Sequence, residues 1–375
     1  MRLNLCLVNV PYSGSNAHLI RELGARVDLQ VVDVPIPKVA DHLAKLRTFH
    51  PDTARWRARY YEARAAASKS RAIFEQRSRI AARAVAGLPR KPDVLLQIGG
   101  MFSPEGAGIP YATFNDFTMA LAIREYRPWA PFLDESSAQA WLEVETRLYR
   151  KASRVFTLSE HTRRSMLSDY GVTPEAAHAV GAGANFAAPP APHGAYDCKS
   201  IVFVGIDFER KGGVTVLEAF RRVREVRPDV ELFIAGPELS ITQPGVTSLG
   251  RLSSRDQLLE LYQRSSLFVM PSLCEPFGFV FLEAMMCGLP CIGSTNDAMP
   301  EIIEHGRTGC VVPPNDPPAL AEAILAMLAD PARLSEMGRQ GRKRAQERFS
   351  WALTADRMTV QLENILAERD AFGSR

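Results

Sequence analysis

Two glutamates, Glu275 and Glu283, stand eight residues apart around a Pro-Phe-Gly-Phe turn. The apolar run 267–270 before them predicts a buried parallel strand, and the helix formers at 280–286 predict a helix. A loop between such elements lies at the carboxyl end of a sheet, where open α/β folds bind ligands. We therefore expect both carboxylates close to a binding crevice.

The turn between the glutamates adds main-chain donors to this crevice. Phe277, Gly278 and Phe279 come at the predicted helix start, where backbone N–H groups face a ligand. Glutamate pairs at this spacing are also common as solvated surface charges. Glu275, however, stands among large apolar residues, and a carboxylate buried alone is costly. This setting favours a carboxylate with a partner or a ligand.

A second group of chemical interest follows the predicted strand 200–204. Gly205 ends that strand, and Arg210 and Lys211 precede two glycines and a helix. Two cations at a helix N-terminus suit a diphosphate, because arginine bonds bidentately and lysine is a compact charge. Alone, such a turn is more often an exposed loop. Its place some 65 residues before Glu275, in the same predicted sheet, makes it more specific.

Length and composition indicate how many domains the chain has and which class of protein it belongs to. A chain of 375 residues exceeds one hydrophobic core, so two domains are expected, and 46% apolar with 23% charged residues is ordinary for a globular protein. No run approaches the roughly 20 apolar residues that span a bilayer.

The N-terminus resembles a first strand more than a secretory signal, so we expect a cytoplasmic protein. Six cysteines without a CxxC pair argue against structural zinc.

Strand-like runs alternate with helical patterns throughout, which predicts parallel sheets wound by crossover helices. A Pro/Ala-rich piece, 187–197, suits a linker between the halves. We predict domains at 1–190 and 191–348 and a final helical segment at 349–375. The predicted strands are Leu3–Val10, Val27–Val34, Val94–Ile98, Arg154–Leu158, Ser200–Val204, Glu231–Ala235, Val246–Leu249, Leu267–Met270 and Pro290–Gly293.

The net charge of +3 hides a local basic segment. Arg55 to Lys91 holds 11 basic residues, with Glu62 and Glu75 as its acids, and is predicted to be one long helix. A solvated helix face is one interpretation. Because Trp56, Tyr60 and other aromatic residues interleave with the arginines, peripheral contact with an anionic membrane on its inner face is a second hypothesis.

The glutamate pair and the Arg-Lys turn resemble the donor-site signature of retaining glycosyltransferases of family 4, which have the GT-B fold. The resemblance is strong over roughly 200–350 and diffuse before that. It implies an α/β protein with two Rossmann-like parallel-sheet domains facing a central cleft and a C-terminal helix crossing back to the first domain. It also implies that Glu275 meets the donor sugar, Glu283 holds the ribose hydroxyls, and Arg210 and Lys211 bind the pyrophosphate.

Further site residues follow from the same resemblance. Arg251 and Leu252, after a short strand, match a base-binding turn, and Gly205 belongs to the donor site with the turn Phe277 to Phe279. The acceptor site would include Gly14, Ser15, Asn16 and Asp116, although one glycine stands where the family often has two. The segment 110–118 lacks the histidine that many members have. Asp116 is its nearest ionisable substitute and a catalytic candidate, and the alternative is that Asn115 and Asp116 cap the next helix.

The function implied is metal-independent, retaining transfer of a hexose from a nucleotide-diphosphate sugar, with UDP or GDP, to a hydroxyl acceptor. The acceptor would be a glycan, a lipid-linked saccharide or a small molecule, and no cofactor or metal is expected. A sugar-nucleotide epimerase or a phosphorylase of the same fold is the alternative, although no lysine stands out for pyridoxal phosphate. From another class, nucleic-acid binding through the basic segment is disfavoured, because no recognised module is present.

Overall fold

The computed structural model describes residues 2–9, 16–35, 37, 53–186, 190, 191, 194 and 196–373. The chain divides into two compact units, Met1–Val180 with Thr354–Arg375, and Gly181–Leu353. These divisions lie near the predicted boundaries at 190 and 348. Each unit is built on one six-stranded sheet, and every pairing of neighbouring strands is parallel. The predicted class of two parallel-sheet α/β units is confirmed.

The first sheet has the order β2-β1-β3-β4-β5-β6. Its central strand β1 is buried along its whole length, as expected for a strand covered by helices on both faces. Two of its strands, β4 and β6, were missed by the sequence analysis. The strands are β1 Asn4–Asn9, β2 Asp28–Asp33, β3 Val94–Ile98, β4 Tyr111–Asn115, β5 Arg154–Thr157 and β6 Ala177–Ala179. The α-helices of this part are α1 Asn16–Arg26, α2 Thr53–Ser68, α3 Arg71–Ala86, α4 Met119–Glu125, α5 Glu135–Lys151 and α6 Glu160–Ser168.

The basic segment forms two helices, so the prediction of one long helix over Arg55 to Lys91 is wrong. Ser70 has extended backbone angles, and its side chain accepts a hydrogen bond from the N–H of Ile73. This N-cap starts α3 afresh after α2 has ended. Arg77 on α3 is fully buried, with its guanidinium 5.4 Å from the ring centroid of Phe102. That arginine therefore does not contribute to a charged surface.

The second sheet has the order β12-β11-β10-β7-β8-β9. The chain moves outward from β7 in one direction through β8 and in the other through β10, so the topological switch point lies between β7 and β10. The strands are β7 Ser200–Val204, β8 Glu231–Ala235, β9 Val246–Gly250, β10 Leu267–Met270, β11 Cys291–Ser294 and β12 Gly309–Val312. The α-helices are α7 Gly213–Val226, α8 Arg255–Arg264, α9 Phe279–Met286, α10 Met299–Ile302, α11 Pro317–Leu328, α12 Pro331–Arg348 and α13 Trp351–Gly373.

The last helix, α13, joins the first unit from Thr354 onwards. There Arg26 Nε donates to Asp356 Oδ1 at 2.6 Å, and Arg154 Nε donates to Gln361 Oε1 at 3.3 Å. Among the described residues, no helix is long and apolar enough to cross a membrane.

Candidate active site

Two loops of the second unit leave the strands that flank its switch point. The loop after β7 carries Arg210 and Lys211, and the loop after β10 carries Glu275. Crevices at such points, outside the carboxyl ends of the strands, are where open α/β sheets bind ligands. The fold therefore brings together three residues that the sequence analysis selected separately.

The two loops are joined through their main chains. The N–H of Leu273 donates to the carbonyl of Arg210 at 2.8 Å, and Arg210 Nη1 donates to the carbonyl of Cys274. Gly212 has a φ of 78°, and a Cβ there would lie 2.2 Å from the carbonyl oxygen of Pro271. Because residues with a side chain rarely adopt this φ, and because a Cβ would clash with that oxygen, glycine is required where the loops meet.

Opposite charges meet between these loops. Lys211 Nζ lies 3.0 Å from Glu275 Oε2, Arg210 Nη1 lies 3.6 Å from the same oxygen, and Arg210 Nε donates to Asp207 Oδ2 at 2.9 Å. All three predicted side chains are nearly buried, with 10 to 14% of each exposed. The cations thus offset the cost of burying the Glu275 carboxylate. Asp207 was not selected from the sequence.

The backbone of Glu275 is fixed by the loop after β11. Its N–H donates to Asp297 Oδ2 at 2.6 Å, and Asp297 itself has a φ of 51°. Asn296 Nδ2 donates to the carbonyl of Leu273 at 2.8 Å, and Ser294 Oγ donates to that of Ser272 at 2.6 Å. These supports were missed, because nothing local marks residues about 22 positions apart as partners.

A cavity of about 610 Å³ opens beside the two cations. Five predicted donor-site residues line it, namely Gly205, Arg210, Lys211, Arg251 and Leu252. Residues that the sequence analysis did not select also contribute, among them Ile206, Asp207, Gly236, Ser253, Ser254 and Arg255. A Cβ on Gly236 would lie 2.0 Å from the carbonyl oxygen of Gly205, so glycine is required where the two backbones come together beside the cavity.

The turn before α9 contributes main chain rather than side chains. Gly278 is the N-cap of α9 with a φ of 95°, while Phe277 is 2% exposed and packs on Phe279 at 5.4 Å between centroids. Phe279 in turn stacks on Trp351. With the rings held in packing, the backbone N–H groups at the start of α9 are what this turn offers a ligand. The next residue, Val280, lines the cavity.

Glu283 is the fifth residue of α9, in its second turn, and is 2% exposed. Arg255 Nη1, at the start of α8, donates to its Oε1 at 2.7 Å. Burial raises the pKa of the Glu283 carboxyl above its ordinary value, while the charge and hydrogen bond of Arg255 oppose the rise. The helix capped by Ser254 therefore supplies the partner of this carboxylate.

In the first unit, the predicted acceptor residues are only partly described. Gly14 and Ser15 lie outside the described residues, as does the side chain of Asn16, which opens α1. Asp116 lines a cavity of about 300 Å³ beside Gly99 and Gly100, at the carboxyl ends of β3 and β4. Phe117, Trp129, Trp141, Lys69 and Glu145 also line it.

The alternative that Asn115 and Asp116 cap the following helix is wrong. Asn115 ends β4, and α4 begins later, at Met119, with Thr118 as its N-cap. The Thr118 side chain accepts from the N–H of Leu121 at 3.1 Å. A hydroxyl directly before the first helical residue thus takes the role proposed for the amide and carboxylate. Ser159 is the N-cap of α6 in the same way.

Known proteins resemble this chain in sequence and in fold. The family model described as "Glycosyl transferases group 1" matches residues 193–344, the range that holds both loops and the cavity. An alpha-maltose-1-phosphate synthase of Mycobacterium tuberculosis is 30% identical over 271 residues, 63% of this chain and 70% of that protein. An MMP alpha-(1->4)-mannosyltransferase of Mycolicibacterium hassiacum is 28% identical over 290 residues, 73% of this chain and 68% of that protein.

Among solved structures, the sucrose-phosphate synthase of Thermosynechococcus elongatus has a TM-score of 0.69 at 21% identity, covering 98% of this chain and 100% of that one. Two parallel-sheet units, with a basic crevice at the switch point of the second, place this chain in the GT-B fold class. This chain belongs to the group 1 glycosyl transferases. It is an enzyme of the hexosyltransferase type, as predicted.

Proposed function

We propose that this enzyme transfers a hexose from a nucleoside diphosphate sugar to a hydroxyl acceptor with retention of anomeric configuration and without a metal ion. One observation carries the proposal. Arg210 and Lys211 line the cavity of about 610 Å³ and lie 3.6 and 3.0 Å from Glu275. Two fixed cations beside a buried carboxylate suit a diphosphate next to a sugar.

The donor would follow the lining of the cavity. The diphosphate lies against the two cations and the base against the turn at Arg251 and Leu252, all of which line the cavity. The sugar lies against Glu275, which is 3.0 Å from Lys211, and against the N-terminus of α9. Glu283 accepts hydrogen bonds from the ribose diol. The names of the two relatives, a mannosyltransferase and a maltose-1-phosphate synthase, describe sugar transfer by those proteins. They agree with a sugar nucleotide here and leave UDP and GDP both open.

In the proposed reaction, the leaving diphosphate accepts the proton of the acceptor hydroxyl, and the two cations stabilise the diphosphate. As the bond between the anomeric carbon and the diphosphate oxygen breaks, negative charge grows on that oxygen. Arg210 and Lys211 stabilise it most in the transition state. The acceptor hydroxyl attacks the anomeric carbon from the same face, and its proton passes to the departing phosphate oxygen. The protein positions the partners and supplies charge, and no covalent intermediate on a side chain is required.

For the acceptor, we propose the cavity of the first unit around Asp116. Its aromatic lining from Phe117 and Trp129 suits the apolar face of a sugar ring, and Asp116 offers acceptors for hydroxyl groups. Gly14, Ser15 and Asn16 stay assigned to the acceptor by resemblance. A cavity of about 300 Å³ lies at the small end of the range for ligand sites, so a single sugar ring or similar polyol is the class expected.

The decisive experiment screens UDP- and GDP-sugars for thermal stabilisation and then determines the anomeric configuration of the product by NMR. A donor at 100 times its dissociation constant should add about 2.7 kcal/mol of stability. Turnover should be the same in EDTA as in added magnesium. An inverted product, or abolition by EDTA with rescue by magnesium or manganese, would contradict the proposal.

A further inference from the structure

The contact between Arg255 and Glu283 links an exposed cation to a buried carboxylate. Arg255 Nη1 lies 2.7 Å from Glu283 Oε1, while the arginine side chain is 57% exposed and the glutamate 3%. Arg255 is the first residue of α8 and lines the donor cavity together with Ser253 and Ser254. Glu283 comes from α9, so the contact joins two helices beside that cavity.

We propose that Arg255 is a positioning residue for the donor, which holds the Glu283 carboxylate in place as an acceptor for the ribose hydroxyls. The inference rests on the proposed function, because it presumes that Glu283 meets the ribose. Arg255 acts through Glu283 and not on the reacting atoms.

The groups around Glu283 show why the charge of Arg255 affects the protonation of this carboxyl. The groups that face the carboxyl are Arg255, Lys211, the N–H of Asn185 and the buried phenol of Tyr262, with Cys287 near. Arg255 is the largest influence opposing the rise of the Glu283 pKa by burial, and Lys211 is a weaker one. Lys211 already lies 3.0 Å from Glu275. Without Arg255, the Glu283 pKa would rise further.

A protonated Glu283 loses acceptor capacity on one oxygen and cannot accept from both ribose hydroxyls as a carboxylate does. Donor affinity in a variant without Arg255 should therefore fall with decreasing pH, towards the affinity of a variant whose residue 283 is always neutral. Had Arg255 contacted the diphosphate directly, its loss would weaken binding at every pH, and more strongly at higher pH, because the terminal phosphate gains its second charge near pH 6. The pH profile separates these two roles.

The experiment titrates the full-length protein with UDP and with GDP by calorimetry, from about pH 5.5 to 8.5. Variants are Arg255→Gln, Arg255→Lys, Glu283→Gln and the double variant Arg255→Gln/Glu283→Gln. Arg221→Gln is the matched control, since Arg221 lies on the exposed face of α7 in a pair with Glu225. Each affinity is divided by the wild-type value at that pH, which removes the titration of the diphosphate itself.

We expect Arg255→Gln to lose affinity relative to wild type as the pH falls from 8.5 to 5.5, by up to the roughly tenfold loss expected of Glu283→Gln. Arg255→Lys should keep most of the wild-type profile, and the double variant should bind no more weakly than Glu283→Gln. A loss that is uniform or grows with pH, or no loss, would overturn the inference and leave the donor site unaffected. Unchanged binding in Glu283→Gln would overturn both the inference and the assigned role of Glu283.

Discussion

Lys211 forms the shortest ion pair with Glu275 in the candidate site, and its side chain is held in place on several sides. It neutralises Glu275 at 3.0 Å, and its Nζ also lies 3.6 Å from Met270 Sδ. A Cβ on Gly205 would lie 2.3 Å from its Cδ, so the lysine stem lies directly over the main chain after β7. Its amine is therefore held in one place, which favours a role in stabilising charge over a mobile surface contact.

The double variant Arg210→Ala/Lys211→Ala should lower turnover by roughly a hundredfold or more, since removing one preorganised donor costs about 10²–10³ in turnover. Stability should fall as well, because Glu275 loses the two cations that offset its burial. The loss should be smaller than the loss of transition-state stabilisation, because water from the open cavity can replace the two side chains. Steady-state kinetics and thermal unfolding of the same samples measure the two effects. Arg221→Ala on α7 is the control, and a double variant with full activity would refute the role of the cations.

Glu145 in the first unit gives a pH dependence of stability. It is 3% exposed, its Oε1 accepts from the Tyr149 hydroxyl at 3.0 Å, and burial raises its pKa to about 7. Because this folded-state pKa exceeds the value of about 4.3 for an exposed glutamate, the folded protein binds the extra proton between these pH values. The protonated Glu145 therefore adds to the free energy of unfolding at low pH, and this contribution is lost as the pH rises towards 7.

Glu145→Gln should remove this dependence, since glutamine is neutral throughout. From pH 5 to pH 8 the wild type should lose about 1.4 kcal/mol more than the variant for each pH unit between pH 5 and the folded-state pKa of about 7. Thermal unfolding at both values measures it. Glu143→Gln on the same helix is the matched control, because that side chain is 57% exposed. Parallel curves for wild type and Glu145→Gln would contradict the prediction.

At the scale of elements, the sequence was most informative where apolar runs end abruptly. The bounds of β3, β7, β8 and β10 were predicted to the residue, because each is a short, mainly apolar run closed by turn residues. The strand β4 was missed, since Thr113 and Asn115 interrupt its apolar pattern. The break of the basic segment at Ser70 was missed as well, because helix formers continue on both sides of it.

The same limit applies to the site. Arg210, Lys211 and Glu275 could be selected because each follows a strand of the same sheet, and strand order then brings them together. Asp297 and Arg255 could not, since they act on Glu275 and Glu283 through contacts that cross between loops or helices. Such partners have no periodicity or motif of their own, and the tertiary fold alone defines them.

The hypothesis of membrane contact belongs to α2 and α3 and stays a prediction. Five of the arginines on these helices, namely Arg57, Arg59, Arg64, Arg71 and Arg79, are chosen to test it. The side chains of Arg57 and Arg59 lie outside the described residues, Arg79 is exposed, and Arg64 is partly buried. Arg71 pairs with Glu75 at 3.1 Å and with Glu143 at 3.6 Å. A basic residue near an anionic surface contributes about 1 kcal/mol, and an arginine already paired contributes less.

Replacing all five arginines with glutamine should release the protein from anionic liposomes at low salt and leave donor binding by the second unit unchanged. Sedimentation with anionic and with neutral liposomes measures the first effect, and calorimetry the second. Retention on nucleic acid rather than liposomes would point to the other anionic partner. If the wild type fails to sediment at low salt, these helices carry a solvated face.

At the scale of the whole molecule, the two units differ in how the chain builds them. The second unit is continuous, Gly181–Leu353, whereas the first combines Met1–Val180 with Thr354–Arg375. The candidate donor residues all belong to the continuous segment. The residues assigned to the acceptor all precede it.

Under the proposed function, this arrangement makes the donor half interchangeable at the level of the gene. A single cassette spanning codons 181–353 could be exchanged for the matching segment of another group 1 enzyme, whereas the acceptor half would need two coordinated exchanges. The resulting hybrid should accept the sugar nucleotide of the cassette's source and keep the acceptor of the host, as paired activity assays with both donors would show. Diversity of donor choice could then spread among such enzymes by recombination at two points, without rebuilding the half that recognises the acceptor.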